Sequence, residues 1–133
     1  MPRPEENIAT AIAFLQTGLD QRRPEEAIER YVGDEYIQHN PNVASGKQGF
    51  IDMVHEVFDP MPEDAPSPTL KKTIATEDHA WLLWHSPDRE PGGPGGALVE
   101  IFRFDGNGKI VEHWDVHAPL KPAAEYKHAN GAF

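Results

Sequence analysis

Four prolines fall within residues 59–68. No helix or strand crosses such a segment, because each proline lacks a backbone donor and fixes its own φ. The segment divides the chain into two halves with different apolar periods. Before it, Ile8, Ala11, Ile12, Leu15 and Leu19 recur at three- and four-residue steps and predict an amphipathic helix from Pro4 to about Leu19. Pro24 followed by Glu25 and Glu26 opens a short second helix that stops near Gly33. Tyr36-Ile37-Gln38-His39 reads as a brief extended segment ending in the turn Asn40-Pro41-Asn42. Ser45 is placed to cap a third helix with Phe50, Ile51, Val54, Val57 and Phe58 on its apolar side. After the proline segment the pattern is β: residues 70–76, 80–85, 97–104 and 109–117 read as strands, the last two joined by Asp105-Gly106-Asn107-Gly108. Helices followed by an antiparallel meander make an α+β fold with helices packed on one sheet face.

At 133 residues one domain, 1–133, is expected, with 118–133 a tail of little pattern. The chain has no cysteine, which excludes a disulfide framework, a thiolate nucleophile and sulfur-ligated metal sites. Its 12 Lys+Arg against 22 Asp+Glu give a net charge of −10 that repels phosphate backbones and anionic lipid, so neither nucleic acid nor membrane is an expected partner. Met1-Pro2-Arg3-Pro4-Glu5-Glu6 carries no apolar stretch behind it, and no run approaches the roughly 20 apolar residues of a membrane span, so a cytoplasmic protein is expected. Pro91-Gly92-Gly93-Pro94-Gly95-Gly96 lacks the Gly-Lys-Ser/Thr of a phosphate loop and reads as a flexible connection or a lid.

The final hairpin sorts polar side chains onto faces. A two-residue loop puts Glu100, Phe102 and Phe104 on one face with Val111, His113, Asp115 and His117. Arg103, Glu112, Trp114 and Val116 then lie on the other, and a three-residue loop reverses the assignment. The first face mixes carboxylates, imidazoles and apolar walls, as ligand pockets do. A solvated, half-exposed sheet face is the alternative reading. His113, Asp115 and His117 project one way from a strand but span about 13 Å, so the three cannot share one ion without a bend. His113 with Asp115, joined by His39, stays open as a metal set.

The segments Tyr36-Ile37-Gln38-His39-Asn40-Pro41, Val99-Glu100-Ile101-Phe102-Arg103-Phe104 and Gly108-Lys109-Ile110-Val111-Glu112-His113-Trp114-Asp115-Val116 resemble those of SnoaL-like proteins in the nuclear transport factor 2-like superfamily. The subgroup is that of polyketide-cyclase-like, predicted aldol-condensation-catalysing proteins. The resemblance implies an NTF2-like cone, in which a curved antiparallel sheet wraps around N-terminal helices and leaves a deep central pocket. It also implies a homodimer paired through the sheet, and acid/base chemistry without metal or cofactor. The acid/base position it implies is Asp115, while the histidine such cyclases carry on the preceding strand is replaced here by Ile101.

An aldol or isomerisation site must remove a proton beside a carbonyl and supply one to the oxygen that becomes anionic. Asp115, His113 and His39 are the expected catalytic residues; Tyr36, Trp81, His85, Glu100 and Phe102 are expected to bind substrate. Trp81 and Trp84 fall on opposite strand faces, so one of them walls the pocket. Arg103 lies across the sheet from Asp115, which disfavours the Asp-Arg-Asp set of an epoxide hydrolase. Two function classes follow: a cofactor-independent enzyme acting on a small carbonyl compound as cyclase, aldolase or isomerase, and a noncatalytic module that binds a hydrophobic ligand or dimerises.

Overall fold

A computed structural model describes residues 3–133; Met1 and Pro2, part of the N-terminal stretch read above as carrying no signal, lie outside the described residues. Helix α1 (Pro4–Leu15) has Pro4 in its first turn, where no backbone donor is needed, and runs on into a widened π-helical turn, Gln16–Asp20. Asn7, on its buried side, donates from Nδ2 to the Thr76 and Glu77 carbonyls, pinning the helix to the sheet. Helix α2 is Pro24–Tyr31, and α3 (Lys47–Met53) also ends in a π-helical turn, Val54–Phe58. Gly46, not Ser45, precedes α3, and the Ser45 hydroxyl accepts the Gln38 N–H instead of capping the helix. Val57, expected on the apolar side, points to solvent at 52% exposure because the widened turn rotates it off the buried stripe.

Strands β1 (Val32–Gln38), β2 (Thr69–Ala75), β3 (His79–Ser86), β4 (Gly96–Phe104) and β5 (Ile110–Pro119) form one sheet in the order β1-β5-β4-β3-β2. β2 to β5 are the expected antiparallel meander, while β1 adds parallel to β5, with Gln38 opposite His113. A turn can join antiparallel neighbours, but a parallel pair needs a long crossover, so this pairing has no local signal.

The turn between β4 and β5 encloses three residues, 106–108, between Asp105 and Lys109. Asp105 N–H donates to the Lys109 carbonyl, and Gly108 takes a positive φ of 76°. Three residues alone would reverse the faces, but a bulge beside Phe104 inserts one extra residue into β5, leaving Ile110 and Val111 both buried. Parity is restored, and Glu100 faces Asp115 while Phe102 faces His113.

The core lies between the helices and the inner sheet face. The Phe14 ring packs edge-on against Phe50 at 4.7 Å and Phe102 at 5.8 Å, with Ala80, Leu82 and Ile110 fully buried around them. Burial of each large apolar side chain contributes on the order of 1.5–3 kcal/mol. Among the described residues, no helix is long and apolar enough to cross a membrane.

Candidate functional site

Beyond this core, toward the ends of β4 and β5 that lie away from their connecting loop, the helices and inner sheet face separate and leave a cavity of about 160 Å³. Its apolar wall comes from the α1 and α3 segments, including Phe14, Leu19, Phe50, Met53 and Phe58. Its polar wall is Tyr36, Gln38 and Asn40 from β1 and the turn after it, with Glu100, His113 and Asp115 from β4 and β5.

The hydrogen bonds fix where protons sit. Gln38 Oε1 accepts the backbone N–H groups of His39 at 3.0 Å and Asn40 at 2.9 Å, so this atom is an acceptor. His113 Nδ1 lies 2.9 Å from the same oxygen and must therefore carry a proton. The opposite ring nitrogen, Nε2, pairs with the Glu100 carboxylate. One proton links that pair, giving either imidazolium against carboxylate or neutral imidazole against carboxylic acid. Asp115 Oδ2 stands 3.9 Å from the same Nε2, and Asn40 Nδ2 donates to both Asp115 oxygens at 2.9 and 3.1 Å. Asn40 thus orients the carboxylate without protonating it. His113 and Glu100 are buried, whereas the Asp115 side chain retains 21% exposure and is the member of the trio most open to a ligand.

Tyr36 stacks on the His113 ring at 6.1 Å. Burial, and then the Glu100 and Asp115 charges, push its phenol well above the ordinary tyrosine value, so it is a neutral donor at any physiological pH. Phe102 also packs against His113, at 4.9 Å, and is fully buried, which makes it a support for the imidazole and not a lining residue.

Three sequence-expected residues lie elsewhere. His39 is turned to the outer sheet face, stacked on Trp114 at 4.7 Å with Nε2 2.7 Å from Glu112. β1 alternation sends Gln38 and Asn40 inward and the residue between them outward. Burial raises the Glu112 carboxyl, but hydrogen bonds from His39 and Arg103 outweigh it and leave the carboxyl below its ordinary value. Trp81 is 49% exposed on the same outer face, because its β3 neighbours Ala80 and Leu82 take the inner one. His85 donates from Nε2 to the Pro94 carbonyl at 2.9 Å and holds the Gly/Pro connection, not a ligand position.

Gln38 and Asn40 were not singled out by the sequence; period-two alternation through Gln38-His39-Asn40 was the signal that could have found them. Glu100, His113 and Asp115 hold ligand-type atoms within 4.8 Å of one another, a donor set able to take a divalent cation. His117, which shared their strand spacing, is not part of this group.

A second lobe of about 130 Å³ shares Leu15, Leu19 and Glu100 as a wall with the first and adds Asp20, Trp84, Leu98 and Pro68. Trp84, not Trp81, is the pocket tryptophan; its Nε1 is buried without a partner among the described residues.

The family model of the SnoaL-like domain matches residues 11–113. No curated protein matches the sequence. Solved structures are similar in fold. TsrD from Streptomyces laurentii superposes with a TM-score of 0.61 at 18% identity, covering 84% of this chain and 87% of that one. A provisionally named polyketide cyclase from Bacillus cereus gives 0.66 at 16% identity, over 84% and 74% of the two chains. A provisionally named isomerase of the SnoaL-like family from Agrobacterium tumefaciens gives 0.64 at 15% identity, over 86% and 98%. At such identities the likeness is one of fold alone.

Proposed function

The chain belongs to the SnoaL-like domain family, and from that premise we propose that it is a cofactor-independent acid/base enzyme that forms or shifts bonds beside a carbonyl, as an aldol-type cyclase, aldolase or isomerase. The observation that carries this reading is the His113–Glu100 hydrogen-bonded pair beside the Asp115 carboxyl that Asn40 orients, all facing one cavity. A simple binding pocket has no need of a proton donor and a proton acceptor 3.9 Å apart.

Asp115 takes the proton from the carbon next to the substrate carbonyl. The His113–Glu100 pair gives its own proton to the carbonyl oxygen as charge develops there, so the product of the first step is a neutral enol. In an aldol closure the enol carbon then attacks a second carbonyl. The new alkoxide takes the proton from Asp115, and the enol hydroxyl returns its proton to the pair. In an isomerisation Asp115 returns its proton to a different carbon while the enol hydroxyl returns its proton to the pair. Either way the enzyme ends in its starting protonation state. The names of the Bacillus cereus and Agrobacterium tumefaciens proteins, polyketide cyclase and isomerase, support this range of reactions.

Asp115→Asn and Glu100→Gln are each expected to lower turnover of a responsive ketone or aldehyde by about 10²–10⁴-fold, the usual contribution of a positioned acid or base. Far-UV and near-UV circular dichroism should stay unchanged. Full activity in Asp115→Asn overturns the assignment. A homodimer is proposed with it, supported by Ile74, Trp81 and Val116 standing exposed on the outer sheet face.

A further inference from the structure

The second lobe has its own chemistry. The exposed Asp20 and the buried Glu100 both line it, together with Trp84, Leu98 and Pro68. Among the described residues, no lysine or arginine lines either lobe. Among the described residues Asp20 makes no ion pair, and its sole side-chain hydrogen bond is a long one of 3.5 Å from the Ser67 hydroxyl. Burial raises its carboxyl above the ordinary value, with the Ser67 bond opposing. A carboxylate with no cation beside it among the described residues, a tryptophan and a second acid deeper in form the complement of a positively charged, largely apolar group. A carboxylate or phosphate ligand would instead meet the Asp20 carboxylate with no lysine or arginine in the lining to offset it.

We propose that this lobe is a subsite for an alkylammonium group, so that the substrate is an amine-bearing carbonyl compound whose cationic end lies on Trp84 between Asp20 and Glu100. The ammonium end is held here while the carbonyl reaches past Glu100 to Asp115 and His113. The substrate class rests on the acid/base reading of the first lobe. The ammonium subsite does not, because its occupancy is measured without turnover.

Choline and its uncharged isostere 3,3-dimethylbutan-1-ol differ only in charge and serve as probes. With the full chain, titration calorimetry should give choline about tenfold tighter binding than the alcohol, the scale of one desolvated cation–aromatic contact with a carboxylate beside it. The trimethylammonium protons should show nuclear Overhauser contacts to the Trp84 ring. Asp20→Asn should cut choline affinity several-fold and leave the alcohol unchanged, and Asp20→Lys should abolish choline binding. Asp20 is exposed, so both variants are expected to fold, which a melting curve checks. Equal affinity for the two probes, no choline binding, or indifference to Asp20→Lys overturns the subsite. Loss of the acid/base reading through an active Asp115→Asn would leave the choline result standing, and the two failures are thereby distinguishable.

Discussion

Gln38, in the cavity wall, fixes which ring nitrogen of His113 donates to it. By accepting the His113 Nδ1–H, its carbonyl leaves Nε2 to share a proton with Glu100. Gln38→Leu removes that acceptor and strands the Nδ1–H. The expected cost is about 1–3 kcal/mol of stability, with a loss of kcat larger than any change in KM. Ring-nitrogen NMR shifts should report Nδ1 protonation of His113 in the wild type and a mixture of tautomers in Gln38→Leu. Gln38→Glu, which still offers an oxygen, should restore the tautomer. An unchanged tautomer in Gln38→Leu would count against this role. That His113 and Asp115 share a face was legible from strand alternation, whereas the placing of Glu100 with them depended on the turn and bulge between β4 and β5. The part of Asn40 was not legible, since its carboxylate partner lies 75 residues away along the chain.

Among the elements, the helical layer and the sheet meet the site in different ways. Strands β4 and β5 deliver the trio through one register, and the bulge beside Phe104 decides which face it occupies. The proline segment, the three helices and the four-strand meander could all be read from periodicity. The bulge and the parallel seat of β1 could not, because a bulge costs little locally and a parallel pairing is settled only by long-range packing. The helices are tied to one another by His55, which bridges Glu25 of α2 and Asp59 at 2.7 Å each, just past the π-helical turn that carries the pocket residue Phe58. The Glu25 and Asp59 bonds raise His55 from 6.5 to about 9. A raised folded-state value makes the clamp's stabilisation complete below pH 6.5, while the carboxylates stay ionised, and loses it as pH rises toward 9. Melting temperatures should therefore fall between pH 6.5 and 9 in the wild type and fall less in His55→Gln. Parallel curves for the two proteins would refute the clamp.

For the molecule as a whole, the two faces of one sheet have separate duties. The inner face supplies the cavity; the outer one carries the exposed Ile74, Trp81 and Val116 together with the His39–Glu112–Arg103 cluster. Trp81→Glu places a charge on that outer face without touching the core. It is expected to shift the sedimentation coefficient toward that of a monomer while the melting temperature at low concentration stays within a few degrees. An unchanged sedimentation profile would sink the sheet-face dimer.

The sequence by itself determined the order of helices and strands, the acidic cysteine-free character, and that His113 and Asp115 share one strand face. These depend on periods of 3.6 and 2 and on composition, which are properties of neighbouring residues. Only the tertiary structure decided that Gln38 and Asn40, not His39, complete the site, that Trp84 and not Trp81 lines it, and that a second lobe opens at Asp20. Each of those outcomes turns on which of two alternating faces is buried, or on a pairing between segments distant in the chain, and burial is fixed by the packing of the whole domain.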